Sequence, residues 1–192
     1  MQYREGDYSK LELAKIICGA LHYVAINQGD SFSWTSGTTQ WHKSSGHKKW
    51  QASIRSLYEL DSEQGSAAQD SSIRGNLLWI SDLYTSVGEM ERIISLNAHH
   101  NIAVTLVHIM GRAEEELSFD SSMNFKDLET GERVELNPKA FRQTYQERLT
   151  QHYQAISDLC NSYNTPSIKI YLTDSIDRSM GHIVNHNNAH YR

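Results

Sequence analysis

The stretch NLLWISDLY, residues 76–84, decides the fold. Asn76 to Ser81 form a nearly continuous apolar run, short enough to be a central strand buried on both faces, and the run stops at Asp82. A second such run, IAVTLVHIM, occupies 102–110. Between the two, Val87, Met90, Ile93, Ile94 and Leu96 recur at helical spacing and predict a helix ending near Asn101. Strands joined by a covering helix return in the same direction, so this alternation predicts parallel pairing. The predicted fold class is therefore α/β, an open and mainly parallel sheet with helices on both faces. SIKIYL at 167–172 supplies a further strand.

Toward the amino terminus, Leu13, Ile16, Ile17, Ala20, Leu21 and Val24 form one stripe of a helix from Lys10 to Asn27, closed by Gln28, Gly29 and Asp30. SFSWT at 31–35 alternates like a short strand, and the Ser-, Thr- and Gly-rich segment 36–46 reads as a loop. Trp50, Ile54, Leu57 and Tyr58 mark a second helix, followed by a polar, turn-forming stretch at 61–75. Toward the carboxyl terminus, MNFKD and ERVEL flank a Gly-containing turn and predict a small hairpin on the rim. Pro138, with Asn137 as its cap, opens a helix that runs to about Tyr163 and carries Phe141, Tyr145, Leu149, Tyr153, Ile156 and Cys160 on one face. Residues 1–178 are expected to form one domain, and 179–192 a polar His- and Asn-rich tail with little to bury.

The chain of 192 residues carries 18 Lys and Arg against 23 Asp and Glu, a net charge of −5. It lacks the background of basic residues that phosphate binding requires, which argues against a nucleic-acid partner. At 39% hydrophobic content it is expected to build one core. No apolar run approaches the ~20 residues that cross a bilayer, and MQYREGDYSK lacks the order of a signal peptide. The two cysteines, Cys18 and Cys160, fall in helical stretches and read as buried thiols in a reducing, cytoplasmic compartment.

Several groupings offer chemistry. His182, His186 and His190 are spaced to share one helical face and hold a metal, although exposed histidines on a polar terminus are the stronger reading. His99 and His100 diverge at a helix end. Ser36, Gly37, Thr38 and Thr39 resemble part of a phosphate loop but lack its Gly-Lys-Ser/Thr, and no Gly-x-Ser-x-Gly nominates a nucleophile. Glu114, Glu115 and Glu116, with Asp120, form an acidic run whose neighbours point apart, more a solvated edge than a cation cage. Lys43, Lys48 and Lys49 with Trp41 and Trp50 make a small basic and aromatic patch, read as a helix start with snorkelling lysines. Asp82 stands apart because ligands of open α/β sheets collect beyond the carboxyl ends of the strands. The competing reading is that it caps the next helix.

KLELAK and QGD around the first helix, LLWISDLY, AEEELSF, FKDLETGERVEL, FRQTYQERL and YLTD occur in an order that resembles the bacterial domain-of-unknown-function 58 family. The domain of that family is similar to a von Willebrand factor type A fold. The resemblance implies a metal-ion-dependent adhesion site in which an Asp-x-Ser-x-Ser, a Thr and an Asp hold a divalent ion, and Asp82 matches the last Asp. Hydroxyls and few carboxylates would leave an open coordination position for a partner's carboxylate. This sequence departs from the pattern: it carries neither the first strand nor the Asp-x-Ser-x-Ser ahead of Lys10, no Thr is matched, and Gly111 and Arg112 stand where members often show Asp-Pro. Asp82 is then the remnant of a site that a fuller form would fill with Mg²⁺. Loss of an inner strand would uncover on the order of several hundred Å² of apolar surface, several kcal/mol at ~25 cal/mol per Å². That approaches a domain's net stability of about 5–15 kcal/mol.

The expected function is a non-enzymatic protein–protein interaction domain. Through the resemblance, it is expected to act with a AAA+ ATPase of the MoxR type in complex assembly. Two alternatives stand beside it: a metal-assisted hydrolase using Asp82, Glu114 and His108, and an inactive gene fragment. His108 carries its own competing reading, a core histidine satisfied by a backbone carbonyl.

Overall fold

The computed structural model describes residues 3–36, 41–44, 46–60, 75–116, 123–126, 133–136 and 138–190. In chain order the elements are β1 (Arg4–Glu5), β2 (Tyr8–Ser9), α1 (Lys10–Gln28), β3 (Phe32–Trp34), β4 (His42–Ser44), α2 (His47–Tyr58) and β5 (Asn76–Ser81). They continue with α3 (Val87–His99), β6 (Ala103–Met110), α4 (Arg112–Glu116), β7 (Met123–Lys126), β8 (Arg133–Leu136), α5 (Pro138–Ser162), β9 (Ser167–Tyr171) and α6 (Ile176–His190).

The centre is a parallel sheet in the order β5-β6-β9, with Leu77 opposite Val104 and Val107 opposite Ile168. The α/β fold with an open parallel sheet is thus observed. The central position differs from the expectation: β6 holds it, buried from Val104 to Met110, while β5 lies at the edge among the described residues with Leu77–Ser81 only half-buried. A run of apolar residues reports burial but not which strand is flanked twice. On one side Val107, Ile109, Ile168 and Ile170 pack with Leu13 and Ile17 of α1 and Ile183 of α6. On the other, Val104 and Leu106 pack with Met90 and Ile94 of α3 and Ile156, Leu159 and Cys160 of α5. Alternate residues of one strand thus serve opposite helical layers, as the pleat requires.

Helix α1 begins in a capping box: Ser9 Oγ accepts from the Glu12 N–H at 3.2 Å, and the Glu12 carboxylate accepts from the Ser9 N–H at 2.7 Å. It ends at Gly29, whose φ of 82° is the left-handed turn that Gly makes at least cost. The buried stripe runs through Lys10, Leu13, Ala14, Ile17, His22 and Ile26, while Val24 is exposed. It is therefore rotated from the expected one, and two polar side chains lie inside it.

Two further expectations are corrected. The segment 36–46, read as a loop, contains β4, which pairs antiparallel with β3. His-Lys-Ser has no apolar alternation to announce a strand. It is held instead by the His42 ring stacked on Trp34 at 4.1 Å and by Ser44 hydrogen-bonded to the buried His22. The carboxyl-terminal stretch is not a tail with little to bury: it forms α6, in which Ser179 and Ile183 are fully buried, so packed structure extends past residue 178. The rim hairpin is present as antiparallel β7 and β8, and α5 begins at Pro138 as expected. Asn137 and residues 61–74 of the turn-forming stretch lie outside the described residues.

Candidate functional site

The three parallel strands end together, so Asp82 after β5, Gly111 after β6 and Thr173 and Asp174 after β9 share one rim of the sheet. Over this rim lies the start of α1, with the β1–β2 pair before it. Lys10, the first residue of α1, is 1% exposed, and its Nζ donates to Glu114 Oε1 at 2.9 Å and lies 2.8 Å from Oε2 in the same ion pair. The rings of Tyr3 and Tyr84 flank the ammonium at 5.4 and 5.1 Å, so two aromatic faces and one carboxylate surround the charge.

Glu114 also accepts from the Gly111 N–H at 3.0 Å, and its carbonyl accepts from Tyr145 Oη at 3.0 Å. A side chain at Gly111 has no room, because a Cβ there would lie 2.5 Å from Tyr3 Cε1, 2.7 Å from Glu5 Oε2 and 2.9 Å from Glu114 Oε2. Glu115 points elsewhere, accepting from Lys169 Nζ at 2.8 Å and Tyr171 Oη at 2.7 Å. Burial alone would raise its carboxyl, but those two hydrogen bonds outweigh burial and hold it below the usual range. Arg112 stacks on the Tyr171 ring at 4.1 Å and donates to Thr173 Oγ1 at 3.1 Å and Asp174 Oδ1 at 3.4 Å. Burial, reinforced by the charges of Glu5 and Glu114, pushes the Tyr3 phenol up to about 12, so it stays protonated at neutral pH.

Asp82 does not cap α3. That task falls to Ser86, whose Oγ accepts from the Glu89 N–H at 3.3 Å. After Asp82, Leu83 takes a φ of 59°, a conformation that costs a bulky side chain on the order of 1–3 kcal/mol. The turn is held from both sides: the Leu83 N–H donates to Ser81 Oγ at 3.1 Å, and His152 Nε2–H donates to the Leu83 carbonyl at 2.8 Å.

Of the proposed hydrolytic trio, His108 does lie on the strand beside β5, opposite Ser81, and feels the charge of Asp82. Glu114 is engaged by Lys10. Among the described residues no three His, Cys, Asp or Glu gather as a metal ion would need. Glu114, the other carboxylate of that trio, is already paired with the Lys10 ammonium. His108 is a core histidine, 3% exposed, and its Nε2 has no hydrogen-bond partner among the described residues.

The acidic run is corrected in one respect. Glu114 and Glu115 are not a solvated edge but partners of separate lysines, and only Glu116 is exposed. Asp120 lies outside the described residues, as do Gly37, Thr38 and Thr39. His99 and His100 are exposed at the end of α3, as expected. His182, His186 and His190 all fall on α6, with His182 exposed. Lys43 and Lys49 are exposed, and the Trp50 ring meets Tyr23 at 5.8 Å. The sequence pattern gives no site role to Lys10, Arg112 or the tyrosines at 3, 84, 145 and 171. A signal existed in Lys10, which stands in phase with Leu13, Ala14 and Ile17, where a buried residue belongs.

A model of the family described as "Protein of unknown function DUF58" matches residues 1–155. No curated protein matches the chain. Among solved structures, the chain is similar to an aerotolerance-related membrane protein from Bacteroides fragilis carrying multiple mutations to serine, with a TM-score of 0.57 and 14% identity. That match covers 98% of this chain and 93% of the other. An uncharacterized membrane-spanning protein from Vibrio fischeri matches with a TM-score of 0.30 and 11% identity over 100% of this chain and 91% of the other. Among the described residues no helix is long and apolar enough to cross a membrane.

Proposed function

We propose that this chain, which belongs to the DUF58 family, is a non-enzymatic protein–protein interaction domain with a von Willebrand factor A-like plan and an incomplete metal-ion-dependent adhesion site. The observation that carries this reading is the rim itself. Beside Asp82, the Tyr84 side chain is 57% exposed over a buried ammonium, and Arg112 lies stacked on Tyr171. Aromatic and Arg side chains held on rigid elements are the groups that dominate protein interfaces. The internal Lys10–Glu114 pair already neutralises one carboxylate of this rim without a divalent ion. A partner would then meet Tyr84 and Arg112 directly.

The partner in this reading is a bacterial AAA+ ATPase of the MoxR type, met in the cytoplasm during complex assembly. The test is titration of purified chain against a purified MoxR-type ATPase from the same bacterium. Association is expected, weakened about tenfold or more by Tyr84→Ala, a central aromatic anchor. No association, or one indifferent to both Tyr84→Ala and Arg112→Glu, would overturn the reading. Calorimetry on the chain alone is expected to show only very weak Mg²⁺ binding. Tight, stoichiometric binding that disappears in Asp82→Ala would instead restore a complete ion site.

A further inference from the structure

A cavity of about 480 Å³ opens between α5 and β9, away from the contacts of Lys10, and His108 lines it. Its size falls within the usual range for small-molecule sites, about 300–1,000 Å³. Leu83, Ile156 and Pro166 give it apolar walls, the Tyr153 ring meets the His108 imidazole at 5.1 Å, and Lys169 is the one charged side chain among those lining it.

The imidazole carries the unexplained atom. His108 is 3% exposed and its Nε2 is buried with no partner among the described residues, a state that buried polar groups seldom keep unless something completes them. The charge around it has a definite sign. Burial first, then the charges of Lys169 and Lys10, push the imidazole down to about 4, and these lysines act on it more strongly than Asp82 and Glu115 do. At neutral pH the ring is therefore uncharged, with one N–H to give, and the Lys169 ammonium lines the same cavity. Lys169 donates to Glu115, but an ammonium has three N–H groups and so keeps donors to spare.

We propose that this cavity binds a small monocarboxylate with a short apolar body. Its carboxylate accepts from His108 Nε2–H and from Lys169 Nζ, and its body rests against Leu83, Ile156 and the Tyr153 ring. No covalent step is involved. The site is independent of the proposed partner surface, so either can fail without the other.

The test uses phenylacetate as probe and phenylacetamide as its uncharged counterpart, followed through the histidine ring nitrogens by NMR. A ligand of about ten heavy atoms is expected to bind in the millimolar range. Phenylacetate should shift the His108 Nε2 resonance saturably, and phenylacetamide should bind about tenfold more weakly or worse. Lys169→Met, an exposed change that leaves the core intact, should remove that preference for the acid. His108→Gln should weaken phenylacetate while leaving the thermal transition in place. No shift at His108 with about 10 mM phenylacetate would overturn the proposal, given the expected millimolar affinity. So would equal affinity for the amide, or an undiminished preference in Lys169→Met.

Discussion

Replacing Lys10 by Met removes one charge while keeping most of the buried stem, and the structure sets the size of the effect. Lys10 is 1% exposed and Glu114 is 14% exposed, so the carboxylate left behind has little access to water. Breaking a buried pair from one side costs about 3–5 kcal/mol, because the remaining charge is uncompensated. Glu114 keeps the Gly111 N–H at 3.0 Å, which places the expectation near the lower end, about 3 kcal/mol. With a urea slope of about 2 kcal/mol per M, the unfolding midpoint should fall by roughly 1.5 M. Adding Glu114→Gln to Lys10→Met removes the stranded charge and retains an acceptor for Gly111, so most of the loss should return. Urea denaturation of the parent, both single variants and the double variant closes the cycle. A midpoint shift in Lys10→Met below about 0.5 M would refute the reasoning, since it would imply less than ~1 kcal/mol by that slope. A double variant no more stable than Lys10→Met alone would do the same.

Acid should weaken the fold through His108. Its pKa is held at about 4 against an ordinary 6.5, so the unfolded chain binds the proton first. Stability is full above about 6.5 and is lost as the pH falls through about 4, by up to ~3 kcal/mol at 1.36 kcal/mol per unit. The buried His22 ring, lowered by desolvation, adds in the same direction. Urea midpoints at pH 7 and pH 4 should differ less in His108→Gln than in the parent, and an unchanged difference would count against the assignment. Gly111→Ala should cost about 1–3 kcal/mol, because the new methyl meets Tyr3, Glu5 and Glu114 within 3 Å; a neutral result in thermal melting would mean the rim yields freely. Burial pushes the Cys18 thiol up to about 12 and raises Cys160 as well. Cys160, which is buried, should therefore react with a disulfide reagent only as the chain unfolds, and Cys18, half-buried, only slowly through its scarce thiolate; a fast phase in the native protein would contradict this.

Most of the layering was legible because it rests on period alone. Alternate residues of 102–110 and the helical stripes of α3 and α5 each bury one kind of surface, and such patterns survive without knowledge of the neighbours. What was not legible depends on pairing across the chain. β4 has no apolar pattern and exists because Trp34 and His22 offer partners to His42 and Ser44, a contact visible only once β3 and α1 are placed. β5 and β6 look alike as runs, and only the register with β9 puts β6 at the centre. The polar average of the last helix hides its buried face, where Ile183 joins the core with Met180 against it and Ser179 is buried beside them.

The site was legible to the extent that a rule of topology could name it. Asp82 follows from where a parallel strand ends, and it stands on the rim. Its surroundings do not follow from position, because Lys10 and Glu114 are separated by 104 residues and meet only when α1 crosses the end of β6. That meeting changes the chemistry expected there. A divalent ion needs several oxygens converging on an empty point, whereas here one carboxylate is turned toward an ammonium and Glu115 toward another. Lys10 and Lys169 each hold one acid, and the groups this rim turns outward include the Tyr84 phenol and the Arg112 guanidinium. On the proposed function, the residue that decides between ion binding and direct contact is thus not the aspartate that the strand pattern singles out. It is the lysine at the first turn of α1, whose removal tests the same point by stability and, in the presence of Mg²⁺, by calorimetry.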